Sequence, residues 1–388
     1  MTFFDVVLFL AFGVLLYKYL TRTPSNLPLP PGPRGLPILG SAIDMPKAHA
    51  WLKFGEWGSR WGPIMSFTAL GQRYVLVSDP QIADELLGKS GSLYADRPRL
   101  EMASLTGYDR ALSAARYGSR FREYRKLIGR VVGTKGSMVR FYPVEDFQAT
   151  MFLRRVFENP TDPAAATRKT AGAMVLHLTY GYKIEEQGLD PLVQLADEAM
   201  LDFADITRPG AYVVEFLPSL RYIPVWFPFF SFQKRALECV KKCDDLADIP
   251  LAFCKEQLAK GVDNDSFCAQ LLKDESIDGA RFDDLKWSAA SFYGAGADTT
   301  VSVVYCYFLA CLRYPEVQRK AQAEIDAVIG RVRLPSFEDR GRLPYLGAVI
   351  NELYRWLPIV PLAVPHRAME DNVYRDYYIP KGTYVIAN

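Results

Sequence analysis

Apolar positions recur with a helical period along most of this chain, from about residue 81 to residue 358. The clearest case is 315–329, where Val317, Ala321, Ile325, Val328 and Ile329 share one face, with Pro315 at the start and Gly330 just past the end. A second run, 282–313, is rich in apolar and aromatic residues, the pattern of a helix at the centre of a core. Ahead of them the period changes. Residues 64–68 and 74–78 read as two strands around Leu70-Gly71-Gln72, followed by Asp79-Pro80 as cap and first residue of a helix. Strand-like spacing returns at 377–388. The pattern predicts a mainly α fold with a small β subdomain and no internal repeat.

The first residues obey a different rule. Residues 3–20 are almost wholly apolar, with Asp5 and Lys18 near the two ends, and are long enough to span a bilayer. Lys18, Arg22 and Arg34 follow the run rather than precede it, so the pattern is that of an anchor and not of a cleaved signal. The positive-inside rule then keeps the rest of the chain cytosolic. Next, LPLPPGPRGLPILG at 27–40 cannot continue a helix and favours a stiff, extended spacer. The expected organisation is a transmembrane anchor at 1–22, a proline-rich hinge at 23–40 and one large domain at 41–388.

Composition changes this picture little. The 388 residues are 49% hydrophobic, enough for a large core, and 46 basic against 44 acidic residues leave a formal charge of +2. No broad positive field for nucleic acid exists, and a membrane or an apolar partner is expected instead. Six cysteines, at 239, 243, 254, 268, 306 and 311, form neither a metal-binding pair motif nor a secreted disulfide pattern. They are expected to be reduced, mostly buried thiols.

The chemistry concentrates in Ala295-Gly296-Ala297-Asp298-Thr299-Thr300, inside the long apolar helix. Two glycines in a helix interior cost roughly 1 kcal/mol each against alanine, so close approach of something is expected there. A flat ligand would use the small residues as a groove, with the Thr299 hydroxyl and the Asp298 carboxyl beside it to move protons. A close helix crossing uses the same small residues and leaves Asp298 to an ordinary ion pair. Some fifty residues later Glu352-Leu353-Tyr354-Arg355 places a carboxylate and a guanidinium three positions apart on a helix over 344–356. Because that helix is otherwise apolar, the pair is expected to be buried and to anchor a later segment. Between Phe203 and Phe230 a proline-broken stretch rich in Trp, Tyr and Phe has the composition of a membrane-interface segment. A core-packed loop is the alternative.

Together, the terminal anchor, PPGPRGLPILG, AGADTT, ELYR and LPIVPLAVPHRAMEDNVYRDYYIPKGTYVIAN resemble the cytochrome P-450 haem-thiolate monooxygenases of the fungal endoplasmic-reticulum type. The resemblance runs from Met1 to Asn388. It implies a haem cofactor, a lipophilic small-molecule substrate, an NADPH-dependent cytochrome P-450 reductase as electron source, and a single-pass protein of the endoplasmic reticulum membrane. It implies that Asp298 and Thr299 deliver protons, that Ala295 and Gly296 line the haem face, and that Glu352 and Arg355 form a structural ion pair. Arg125, in Phe121-Arg-Glu-Tyr-Arg125, matches the arginine of a WxxxR motif that binds a haem propionate, with Phe121 in place of the tryptophan. His366 stands at the second propionate position. The aromatic stretch between Phe203 and Phe230 is implied to cap the substrate channel, whose pocket would be lined from residues 93–115, with Leu100, Met102, Leu105 and Tyr108.

Two family elements have no counterpart in the sequence: the FxPERF-like stretch that pairs with Glu352 and Arg355, and FxxGxRxCxG, which carries the thiolate iron ligand. No cysteine follows Cys311, so no metal ligand is assigned. The sequence therefore reads as a family member truncated before the ligand motif, its fold incomplete at the C-terminus, with a haem-free paralogue or incomplete gene product as the alternative. The closing strand, Tyr384-Val-Ile-Ala-Asn388, is expected to lack a neighbour and to present an exposed edge.

Overall fold

The computed structural model describes residues 25–46, 48–208, 210–227, 231–262 and 264–388; the expected anchor at 3–20 lies outside them. The chain forms two compact units, one from residues up to 99 together with 360–388 and the other from 100–359. The architecture is mainly helical with small sheets, as the periodicity predicts.

In the first unit, helix α1 (Ala50–Trp61) packs on a sheet containing β1 (Ile64–Ala69) and β2 (Gln72–Val77). These two pair antiparallel, and Leu70 and Gly71 between them both have positive φ, 48° and 83°. That is the backbone of a two-residue hairpin turn whose twist matches the strands. Side chains alternate across the sheet. Met65, Phe67 and Leu76 join Phe54 and Trp57 of α1 in one cluster, while Ile64, Val75 and Val77 join a second cluster with Ile379 and Val385. Strands β3 (His366–Arg367), β4 (Asn372–Tyr374), β5 (Tyr377–Ile379) and β6 (Tyr384–Ala387) complete the unit, with sheet orders β1-β2-β6-β3 and β4-β5. The sequence expectation fails at β6. At Tyr384 and Val385 it is an interior strand, parallel to β2 on one side and antiparallel to β3 on the other. Pairing partners so distant in sequence leave no local signal.

The second unit contains α2 (Glu101–Thr106), α3 (Ser119–Val132), α4 (Tyr142–Glu158), α5 (Pro163–Tyr180), α6 (Pro191–Ile206), α7 (Phe232–Ala259), α8 (Phe267–Leu272), α9 (Gly279–Arg313), α10 (Pro315–Val328) and α11 (Pro344–Trp356). At 35 residues α9 is about 50 Å long and packs against α3, α5, α6, α7, α8, α10 and α11. Its first half is the centre of the core. Trp287, Ala289, Ala290 and Tyr293 are buried with Cys239, Cys243, Cys254 and Cys268 in one large cluster. Some polar groups there are matched: Ser291 donates to the Trp287 carbonyl and accepts from the Leu112 amide, at 2.6 and 2.8 Å, and Tyr293 donates to the Leu192 carbonyl, whereas the Trp287 Nε1 and the Tyr180 hydroxyl are buried without a partner. The Arg110 guanidinium lies 4.0 Å over the Trp287 ring. Burial pushes the thiols of Cys239 up to about 11 and of Cys243 up to about 12, so these are inert core thiols, as composition suggested.

Candidate functional site on the central helix

Two different jobs are divided among the six residues of AGADTT by the 100° turn of each helical step. Gly296 faces α5. A Cβ placed there would stand 2.6 Å from Val175 Cγ2, so only glycine lets the two helices meet at this point. Gly294 similarly faces Met200 of α6, and Ala297 is buried. Ala295, Asp298, Thr299 and Thr300 are exposed. The close crossing therefore exists, and Ala295 and Thr299 lie on an open side of the helix. Gly296 is a packing residue at the α5 crossing, a correction to its expected place on the haem face; Ala295 remains open to a ligand.

Thr299 and Ala295, four apart, share the open strip. The Thr299 hydroxyl donates to the Ala295 carbonyl at 2.8 Å, and Ser302 to the Asp298 carbonyl at 3.2 Å, both i to i−4 bonds that leave α9 continuous. With its proton engaged, Thr299 Oγ1 presents lone pairs outward. Asp197 of α6 was not singled out from sequence. Burial pushes its carboxyl above the usual range, Arg168 at 3.7 Å draws it down, and the nearby Asp298 charge pushes it up again. An isolated aspartate inside an amphipathic helix carries no signal of such a neighbour.

Beyond Val301 the outward side of α9 carries half-buried and exposed apolar residues, ending with Leu309 and Leu312. Among the described residues α9 is the one helix long and apolar enough to cross a membrane, by length and composition alone. Its first half is nevertheless core.

Arg125 is exposed on α3, whose inward face is Tyr124, Leu127 and Val131. Its neighbours Arg120 and Arg130 are engaged with Asp283 at 2.6 Å and Asp274 at 2.9 Å, whereas Arg125 makes no such pair among the described residues. A cation left open on a helix face suits an anionic group.

In the sheet unit, His366 is half-buried and its Nδ1 lies 2.6 Å from the Tyr94 carbonyl, which assigns the proton to Nδ1. Burial first, and then the Arg97 charge, holds this imidazole below its ordinary value, so it is neutral at pH 7. Its other nitrogen then offers a lone pair and not a proton. The permanent charge here belongs to Arg97, which sequence reasoning missed. Arg97 donates through Nη1 to the carbonyls of Val364 at 2.6 Å and Pro365 at 3.1 Å, while its Nε is a buried donor without a partner. Such an orphan is costly unless an acceptor arrives, so the donor set fits a carboxylate. The arginine-rich run Asp96-Arg97-Pro98-Arg99 was its available signal.

Glu352 and Arg355 form a bidentate pair, at 2.7 and 2.6 Å. The expectation of burial is wrong: their side chains are 57% and 71% exposed. Val349 and Leu353 are the buried stripe of α11, and the pair lies off that stripe by the helical period. The start of α11 is anchored by another helix. Its N-cap residue, Leu343, offers no capping side chain, and Glu324 of α10 accepts from the amides of Tyr345 and Leu346, both at 2.9 Å.

A family model described as cytochrome P450 matches residues 30–388. The chain belongs to the cytochrome P450 family. Cytochrome P450 monooxygenase 208 of Postia placenta is 44% identical over 377 residues, covering 97% of this chain and 73% of that protein. Cytochrome P450 monooxygenase claR of Ampulloclitocybe clavipes is 42% identical, over 96% of this chain and 69% of its own length. An O-methylsterigmatocystin oxidoreductase of Aspergillus flavus is 34% identical, over 96% of this chain and 72% of its own. These relatives are fungal monooxygenases and oxidoreductases.

Membership implies haem, and the described residues fit part of such a site. In the helical unit the open Ala295–Thr299 strip can approach a flat group and Arg125 is a cationic donor for a carboxylate; in the sheet unit, taken by itself, the Arg97 Nε is another such donor. No iron ligand is assigned among the described residues. Among the described residues no three metal-ligating side chains cluster, and four of the six cysteines are buried in the core cluster, where burial opposes the thiolate. Cys306 and Cys311 lie on α9 itself.

Proposed function

We propose that this cytochrome P450 is a haem-dependent monooxygenase that inserts one oxygen atom from dioxygen into a lipophilic small molecule, at the endoplasmic reticulum membrane, with electrons from an NADPH-dependent reductase. When bound, haem supplies the redox chemistry. The chain's own residues hold, orient and move protons. Arg125 is assigned to an anionic edge of the cofactor. Ala295 keeps the strip flat. Thr299 Oγ1, its proton tied to the Ala295 carbonyl, accepts a hydrogen bond from a water and so fixes it, and the exposed Asp298 carboxyl exchanges protons between solvent and that water.

The outward placement of Ala295 and Thr299, against the inward placement of Gly294 and Gly296, carries this reading. Thr299→Ala tests it. Proton delivery should be misdirected, so a larger share of NADPH consumption ends as peroxide while haem content and stability stay at parental levels. Equal coupling of NADPH to product in variant and parent would remove Thr299 from the mechanism.

A further inference from the structure

Two glycines mark where α6 meets its neighbours. Gly294 of α9 faces it, where a Cβ would stand 3.2 Å from the Met200 sulfur, and Gly172 of α5 faces it with a Cβ position 2.8 Å from Val193 Cγ2. Residues three or four apart share one side of a helix. Asp298, four past Gly294, therefore lies on the α6 side of α9, and Asp197, three before Met200, on the α9 side of α6. Arg168, four before Gly172, meets Asp197, four past Val193, in an ion pair of 3.7 Å. Its guanidinium also lies 6.0 Å from the centre of the Tyr305 ring, two turns along α9 from Asp298. Two carboxylates on facing sides of two helices thus stand beside one cation.

The charges agree with this placement. Burial raises the Asp197 carboxyl, Arg168 draws it down and the Asp298 charge pushes it up. The Tyr293 phenol, also touched by the Asp197 charge, is held far above its ordinary value by burial and donates to the Leu192 carbonyl. Other charges around α6 are engaged elsewhere. Lys242 of α7 pairs with Glu198 and Asp202, and Arg235 with Asp202 and Asp205. Lys169 of α5 donates to the Glu186 and Gly188 carbonyls, and Glu101 of α2, whose amide donates to Glu215, pairs with Arg221.

We propose that Asp197 is a positioning residue for proton transfer: across the α6–α9 contact it faces Asp298, and its negative charge, balanced by Arg168, sets the pH range over which Asp298 takes a proton from solvent and passes it on. Each proton passed on is replaced from solvent, so the pair ends a cycle as it began. The proposal rests on the role given to Asp298 above.

Asp197→Asn, Asp298→Asn, their combination and Arg168→Met test it in two ways. The first is unfolding in urea against pH, which needs no bound haem. A folded value raised above the unfolded one means stability that is full below about pH 4 and is lost as pH rises through the folded value, so Asp197→Asn should gain on the parent toward pH 7. That gain in the folding constant should be about twofold smaller where Asp298 is already Asn, the size of one relieved like-charge contact. Equal gains in both backgrounds would show that the carboxylates do not sense each other and overturn the proposal. The second is the share of NADPH consumption that ends in product, against pH, in the haem-loaded protein. Its fall at high pH should move down by about half a pH unit in Asp197→Asn and up by a similar amount in Arg168→Met, the Coulomb effect of one nearby charge in water. A merely structural defect would move both variants alike, and profiles that stay put or move in one direction would overturn the proposal while leaving Asp298 its role. Parental coupling in Asp298→Asn at every pH would remove that role and the proposal with it.

Discussion

The two halves of α9 are built from similar residues and end in different surroundings. Over 285–293 the helix is wrapped by neighbours; Trp287, Ala289 and Tyr293 are buried, and serine and tyrosine hydroxyls are spent on backbone carbonyls. Over 298–313 only Val301 is fully buried, and Asp298, Thr299, Leu309 and Leu312 face outward. Gly294 and Gly296 sit at the changeover, pressed against α6 and α5, while Ala295 between them is exposed. The difference teaches that apolar character in one helix serves two ends. The first half holds the fold together; the second leaves much of its side-chain surface outside the core. Stability and activity should therefore separate along a single helix.

The largest separation is expected from truncating one large side chain in each half. Trp287→Ala should cost about 3–5 kcal/mol, read by urea or thermal unfolding. Leu312→Ala should stay within about 0.5 kcal/mol. Equal losses would abolish the distinction. At the changeover, Gly296→Ala gains roughly 1 kcal/mol of helix propensity but forces a contact of 2.6 Å with Val175. Overpacking of this kind costs about 1–3 kcal/mol, so the net effect should be destabilising, and Val175→Ala in the same chain should reverse it. Absence of that rescue would mean that the crossing is looser than the geometry implies.

Smaller effects are expected where α11 meets the second half. Glu352→Ala removes an exposed pair and should leave the unfolding transition unmoved, because solvent screens such pairs. Asp339, just before α11, is held well below the ordinary carboxylate range by Arg333 and by the Ser336 amide and hydroxyl. A lowered value means stabilisation that is full above the unfolded value of about 4 and is lost as pH falls through the folded one. Between pH 5 and pH 2 the parent should lose stability that Asp339→Asn has already lost, so the two curves should converge in acid. Parallel curves would show that Asp339 contributes nothing there.

Much of this was legible in the sequence where the determinants are local. The hairpin at Leu70-Gly71, the helix bounded by Pro315 and Gly330, and the α9 and α11 spans are written in turn residues, caps and periodicity, and the structure follows them closely. Contacts made at long range were not legible. Nothing near β6 announces β2 or β3, and nothing near Leu100 or Leu343 announces Glu215 or Glu324 as their helix caps. The misjudged burial of Glu352 and Arg355 has a related origin. Apolar content suggested a buried helix, yet period 3.6 places only Val349 and Leu353 fully inside. Of AGADTT, the sequence offered two readings; the structure has the close crossing at Gly296 and leaves Ala295 and Thr299 exposed.

In the proposed function the Ala295–Thr299 strip takes the cofactor. Ala295 is open, so Ala295→Trp should be tolerated by the fold yet fill the strip. The most direct measurement is haem per protein after expression with haem precursor, by pyridine haemochromogen assay, with unfolding of the haem-free protein as the control. The account predicts a parental melting temperature without haem and a loss of most bound haem in the variant. Haem content equal to that of the parent, at equal stability, would contradict it and leave the small residues of α9 with packing as their only role.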